Sequence, residues 1–129
     1  METSKSINTR RKIVNCARQV FRKYGYKNAT MQLIADEAET SLSLVKKYFP
    51  RKQNLVSVIA RNQAFKVKEY VDTVLEQTGS KDDALLEYLL IIKIIFRDIY
   101  TDPAVRRYHY ESMDSDLGEK SMYAKPFDF

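Results

Sequence analysis

Apolar side chains recur along this chain at intervals of three and four, the period of an amphipathic helix, and nowhere in the two-residue alternation of a strand. Ile13, Ala17, Val20, Phe21 and Tyr24 mark the inner face of a first helix running from Thr9 to Tyr24, after a frayed start over residues 1–8. Gly25 is placed to end it in the left-handed conformation. Met31, Ile34, Ala35 and Ala38 form the stripe of a second, short helix with Thr30 as its cap. Glu39-Thr40-Ser41 then interrupts the pattern and supplies a new N-cap. A third helix follows over Leu42 to Phe49, with Val45 and Phe49 inward and Lys46 and Lys47 outward, and Pro50 stops it. Two short helices joined by a tight turn make the plan of a helix-turn-helix, whose second helix is shaped for a DNA major groove.

A fourth helix is expected from Arg51 or Lys52 to Thr78, striped by Leu55, Ile59, Gln63, Val67, Tyr70, Val74 and Thr78 and ended by Gly79. Ser80, with Asp82 and Asp83 behind it, reads as the cap and acidic first turn of a fifth helix over Ala84 to Tyr100. That helix is apolar nearly all round, which predicts burial on most sides. Asp102-Pro103 opens a short sixth helix, ending near Ser112. The fold class is therefore all-α: a three-helix DNA-binding domain with a helix-turn-helix, a long connector helix and a short helical C-terminal part. The expected divisions are a DNA-binding domain over 1–50, a connector and regulatory or dimerisation part over 51–112, and a loosely ordered tail over 113–129.

Charge sharpens the picture. Residues 1–68 hold 15 Lys and Arg against 4 Asp and Glu, whereas residues 69–129 hold 7 against 13. The basic half coincides with the helix-turn-helix, the footprint expected of a polyanion binder. The acidic half suits contacts with protein. Cys16, the single cysteine, excludes an internal disulfide and fits a reducing, cytoplasmic compartment; its place in a helical stripe predicts a structural thiol. The start does not resemble a signal peptide. The run Leu89–Phe96, broken by Lys93, is far shorter than the ~20 apolar residues of a membrane span. Catalytic chemistry has little to build on: one histidine, His109, one cysteine, and three glycines far apart at 25, 79 and 118. Neither metal nor cofactor is expected, and no enzyme.

The order of residues from Arg11 to Ile59 resembles the N-terminal domain of the TetR family of bacterial transcriptional repressors. The resemblance rests on Ala17, Val20-Phe21, Tyr24-Gly25-Tyr26, Ala29-Thr30, Ile34-Ala35, Ala38, Ser41, Tyr48-Phe49, Lys52 and Leu55, at the family's spacing without gaps. It implies phosphate contacts from Thr30, Tyr48 and Lys52. Lys47, beside them on an exposed face, is a further candidate. Leu42, Ser43 and Lys46 fall where the groove would be read: lysine can reach guanine O6 and N7, and leucine can pack on a thymine methyl. Gln32 and Lys27 are flanking candidates. Departures from the family pattern stand at Glu39, where glycine is usual, and at Ser43, Leu44 and Lys46. They imply a different DNA sequence preference, and strain at Glu39 if its backbone is left-handed. Beyond Ile59 the resemblance is architectural, and the family's usual pair of C-terminal dimerisation helices has no room after it.

The resulting expectation is a regulator, a repressor by resemblance, that binds double-stranded DNA at a near-palindromic site as a homodimer formed through helix five and its successor, with the tail as a further candidate. The family senses small molecules between C-terminal helices. Tyr70, Tyr88, Ile92, Phe96 and Tyr100 are the candidate lining for such an effector, with plain core as the competing reading. The alternative function is a protein-interaction module, a short homologue that pairs with another regulator and binds DNA weakly or not at all.

Overall fold

The computed structural model describes residues 2–113, all of whose regular elements are helices. They are α1 (Ser4–Asn28), α2 (Met31–Glu37), α3 (Leu42–Tyr48), α4 (Lys52–Thr78), α5 (Ala84–Thr101) and α6 (Pro103–Met113). The expected tail, Met113 apart, lies outside the described residues.

One core gathers Ile13, Ala17, Val20 and Phe21 of α1, Ile34 and Ala35 of α2, Val45 of α3 and Leu55 and Ile59 of α4. These are the positions the helical stripes select, because a face of i, i+3 and i+4 residues is the part of a helix a neighbour can cover. Cys16 packs at the edge of this core, and burial pushes its thiol pKa up, as suits a structural thiol. A second cluster joins Val67, Val71 and Leu75 of α4 to Leu86, Leu90, Ile91, Ile94 and Ile95 of α5. The covered line on α4 thus follows Val67, Val71 and Leu75, not Tyr70 and Val74 as the sequence stripe suggests. Tyr70 stands one position off the α5-facing line and is exposed.

Three local expectations change. The chain is helical from Ser4, not from Thr9, because Thr3 caps it: its hydroxyl accepts the Ser6 N–H at 3.2 Å. The cap of α5 is Asp83, whose carboxylate accepts the Leu86 N–H at 2.9 Å; Ser80 belongs to the preceding turn. And α5 is not buried on most sides. It packs on α4 and α6, leaving Leu85, Tyr88, Leu89, Phe96 and Tyr100 exposed. A largely apolar helix with only α4 and α6 packed on it among the described residues shows a face to solvent.

The α1–α2 link holds the fold's most constrained backbone. Gly25 interrupts α1 at φ 75°, ψ 175°, a region essentially reserved for glycine. A Cβ there would lie 2.6 Å from Glu111 Oε2 and 2.7 Å from Arg107 Nε, both on α6. This close approach lets α6 seat against α1, where the Tyr108 ring lies tilted at 6.4 Å from the Phe21 ring and Asp102 pairs with Arg22 at 2.8 Å. Gly79, the other left-handed glycine, closes α4: the Ser80 N–H bonds back to Leu75 O at 2.9 Å.

Replacing Gly25 with alanine is expected to lower unfolding free energy by about 1–3 kcal/mol, the usual cost of forcing a side chain into such a conformation. Urea denaturation reads this directly. An unchanged midpoint would show that the link relaxes freely.

Candidate nucleic-acid interface

Helices of seven residues have no stability of their own, so α2 and α3 exist only through caps and burial. Thr30 Oγ1 accepts the Leu33 N–H at 3.1 Å and Ser41 Oγ the Leu44 N–H at 3.2 Å. Between the helices the backbone turns in a Schellman motif, with Thr40 N–H bonded to Ala35 O and Glu39 N–H to Asp36 O, each at 3.0 Å. The motif puts Glu39 at φ 53°, where a Cβ costs on the order of 1 kcal/mol. The Lys12–Glu39 contact, 3.8 Å long between exposed groups, offsets little of this.

Burial then orients α3. Val45 is fully covered and Phe49, its C-cap, nearly so, while Leu42, Leu44 and Tyr48 are half-buried at the edges. The opposite face presents Ser43, Lys46 and Lys47 to solvent. Neither lysine forms an ion pair among the described residues, and both occupy the last turn, where the helix dipole favours cations. Ser43 Oγ rests 3.3 Å from Ser41 Oγ. Leu42, tied to the core on one side, has its remaining surface at the start of the same face.

The other expected contacts are placed variously. Thr30 is exposed at the start of α2, although its hydroxyl already serves as the cap. Gln32 is exposed and donates to Asp36 Oδ1 at 2.8 Å. Lys27 is exposed, and its backbone N–H donates to Glu111 Oε2 at 2.8 Å. Tyr48 directs its hydroxyl to Ser6 Oγ at 3.1 Å, with the Arg10 guanidinium 5.8 Å from its ring. The first turns of α1 therefore adjoin the end of α3 and extend the interface with Ser6 and Arg10. Ser6 falls in residues 1–8, which carry no inward stripe, and Thr3, three places before it, was the available signal; Arg10 falls in the expected first helix, off its inner face.

Lys52 is placed unlike the rest. Its ammonium donates to Tyr26 O at 2.6 Å and Ala29 O at 3.0 Å and lies 4.2 Å from the Tyr26 ring centre. Burial lowers its pKa below the ordinary lysine value, and the Glu111 charge partly opposes that shift. Two of its three N–H donors are thus occupied in fastening α4 to the α1–α2 link.

The five candidate effector residues do not enclose a cavity among the described residues. Tyr70, Phe96 and Tyr100 are 63%, 51% and 60% exposed, Tyr88 is also exposed, and Ile92 is partly covered. They lie on outer faces of α4 and α5 because α5 turns Ile91, Ile94 and Ile95 toward its neighbours instead. A cavity of about 350 Å³ lies elsewhere, where α1, α4, α5 and α6 meet, and none of the five residues borders it. His109 does border it, half-buried, and burial depresses its pKa. Among the described residues no group of three or more His, Cys, Asp or Glu side chains is arranged to hold a metal ion, and no helix is long and apolar enough to cross a membrane.

A short cationic helix, capped, anchored by its apolar side and turned outward on a brace of three others, defines a helix-turn-helix protein of the DNA-binding kind. Residues 13–59 match the family described as bacterial regulatory proteins, tetR family. Among solved structures the chain is similar to the HlyIIR mutant protein in which residues 169–186 are replaced by a linker with two thrombin sites. The two share 24% identity and a TM-score of 0.54, over 91% of this chain and 59% of that one. This likeness supports the fold, and the chain spans less than two thirds of that protein's length. No curated protein matches the chain.

Replacing Lys52 with methionine keeps the length of the side chain but leaves two carbonyls without their donor. Such a loss costs about 1–3 kcal/mol. The variant is expected to unfold at correspondingly lower denaturant, and an unshifted midpoint would mean that water replaces the ammonium at no cost.

Proposed function

We propose that this protein is a transcriptional regulator that binds duplex DNA through α3, and that it acts as a repressor on a near-palindromic operator. The observation that carries the reading is the division of α3: Val45 and Phe49 hold it from behind, and Ser43, Lys46 and Lys47 face outward, the two lysines without an ion pair among the described residues. Ser43, Lys46 and the exposed part of Leu42 are assigned to base edges, which specify sequence. Lys47, Thr30 and Tyr48, with Lys27, Gln32 and Arg10 on the flanks, are assigned to the backbone, which sets register. Lys52 has one donor left for a phosphate, so its larger role is to keep the α1–α2 link in place. Such a regulator works in the cytoplasm, where the DNA is, and its reading calls on no catalysis.

Anisotropy with a labelled duplex of random sequence at low salt tests this. Binding is expected to fall steeply with salt, by about 0.9 logarithmic units per phosphate neutralised. Replacing Lys46 and Lys47 together with alanine should flatten that slope by roughly two such units at most. Absence of binding by the parent protein would favour the interaction-module reading.

Operator symmetry requires a second copy, and the exposed row on α5, Leu85, Tyr88, Leu89, Phe96 and Tyr100, supports pairing through that helix. The same row is what an interaction module would use. Light scattering at DNA-binding concentrations should give twice the monomer mass. A monomer at every concentration would remove the dimer from the proposal.

A further inference from the structure

The cavity at the junction of the DNA-binding domain with α5 and α6 has a chemical character of its own. Its volume of about 350 Å³ is at the small end of the range for pockets that enclose small organic molecules. Val56, Ile59 and Ala60 of α4 meet Ile95 and Ile99 of α5 and Val105 of α6 across it, so part of its wall is aliphatic, beside polar groups such as Ser57, Gln63 and Thr101.

Charged groups sit around that wall, and most of them are already matched. Arg22 pairs with Asp102 at 2.8 Å. Asp98 accepts from Arg97 at 3.1 Å and from Gln63 at 3.3 Å. The exception is Arg18. It lines the cavity, is partly withdrawn from solvent, and forms neither a hydrogen bond nor an ion pair among the described residues. His109 does not double the charge, because burial disfavours its protonated form. The cavity thus offers aliphatic contact together with one uncompensated planar cation, whose fork of donors matches a carboxylate.

We propose that this cavity binds a small amphiphilic monocarboxylate, with the carboxylate on the Arg18 guanidinium and the aliphatic body against Ile95, Ile99 and Val56. A second anionic group would find no free cation among the described residues of the wall, and an uncharged apolar molecule would leave Arg18 unmatched. This assignment rests on a wall between elements and not on the face of α3, so its test stands apart from that of DNA binding.

Calorimetric titration with sodium decanoate, in the absence of DNA, tests the proposal. Saturable binding at one site per chain is expected. Replacing Arg18 with methionine should weaken it at least tenfold, and decan-1-ol should bind the parent protein at least tenfold less tightly than decanoate does. Replacing Ala60 with phenylalanine fills the aliphatic wall while Arg18 stays, and should abolish binding; this variant decides the matter if the Arg18 variant fails to fold. No saturable binding, or binding that survives both substitutions, as adsorption to the exposed row of α5 would, overturns the proposal.

Discussion

Five residues, Gly25 to Ala29, determine how the helix-turn-helix is held, and they are gripped from two sides. From α4 the Lys52 ammonium takes the carbonyls of Tyr26 and Ala29. From α6 the Glu111 carboxylate takes the Lys27 N–H. Burial alone would raise the Glu111 pKa, but the Lys27 N–H and the Arg107 guanidinium together hold it below the ordinary value, so the carboxylate stays charged at neutral pH. Past the kink at Gly25, in the last turn of α1 and the link that follows, backbone groups that lack a partner within the helix must find one elsewhere. Here those partners come from two helices that the chain reaches much later. Gly25 is the condition for this arrangement, because any side chain at that position would meet Glu111 and Arg107.

The consequence for α3 is indirect but physical. Seven residues cannot sustain a helix in water, so its direction is inherited from the surfaces it rests on. Val45 and Phe49 enter the same core as Phe21, Tyr26 and Leu55. Moving Tyr26 would disturb Phe21, whose ring centre is 5.9 Å away, and through that core the base of α3. The outward face of α3 is thus presented by a packed brace with little freedom to rotate. A binding surface gains from such rigidity, since less order has to be imposed when the partner arrives.

Much of this was legible in the residues and some was not, for reasons that differ by element. Thr30 and Ser41 announced the starts of α2 and α3, because a hydroxyl before an apolar stripe has a local job that no tertiary contact need explain. Gly25 and Gly79 announced stops for the same kind of reason. The outward lysines followed from periodicity. The orientation of Lys52 did not: an exposed-looking lysine at a helix start gives no sign that two carbonyls from another segment will converge on it. The exposed face of α5 was misread because periodicity reports how apolar a helix is, not how many neighbours exist to cover it. The cavity was invisible too, since Arg18, Ala60 and Val105 share no spacing and meet only when four helices have packed.

The placement of α6 ties these observations together. It is bound to α1 at both ends, by Asp102 on Arg22 at its start and by Glu111 on the Lys27 backbone toward its finish, with Tyr108 against Phe21 between them. The hydrogen bond from Arg22 lowers the Asp102 pKa, which marks this pair as a contact the folded state favours. A helix fixed at two points along the back of the DNA-binding domain cannot shift without pulling on the link that sets α2. The cavity opens between those two points and reaches α5 on its far side. A carboxylate on Arg18 with its aliphatic body against Val56, Ile95 and Ile99 touches α1, α4 and α5, and Val105 and Tyr108 of α6 border the same cavity. Any difference in the fit of α6 between filled and empty states is therefore a difference in how α2 and α3 are held, and a coupling of that kind acts equally in both directions.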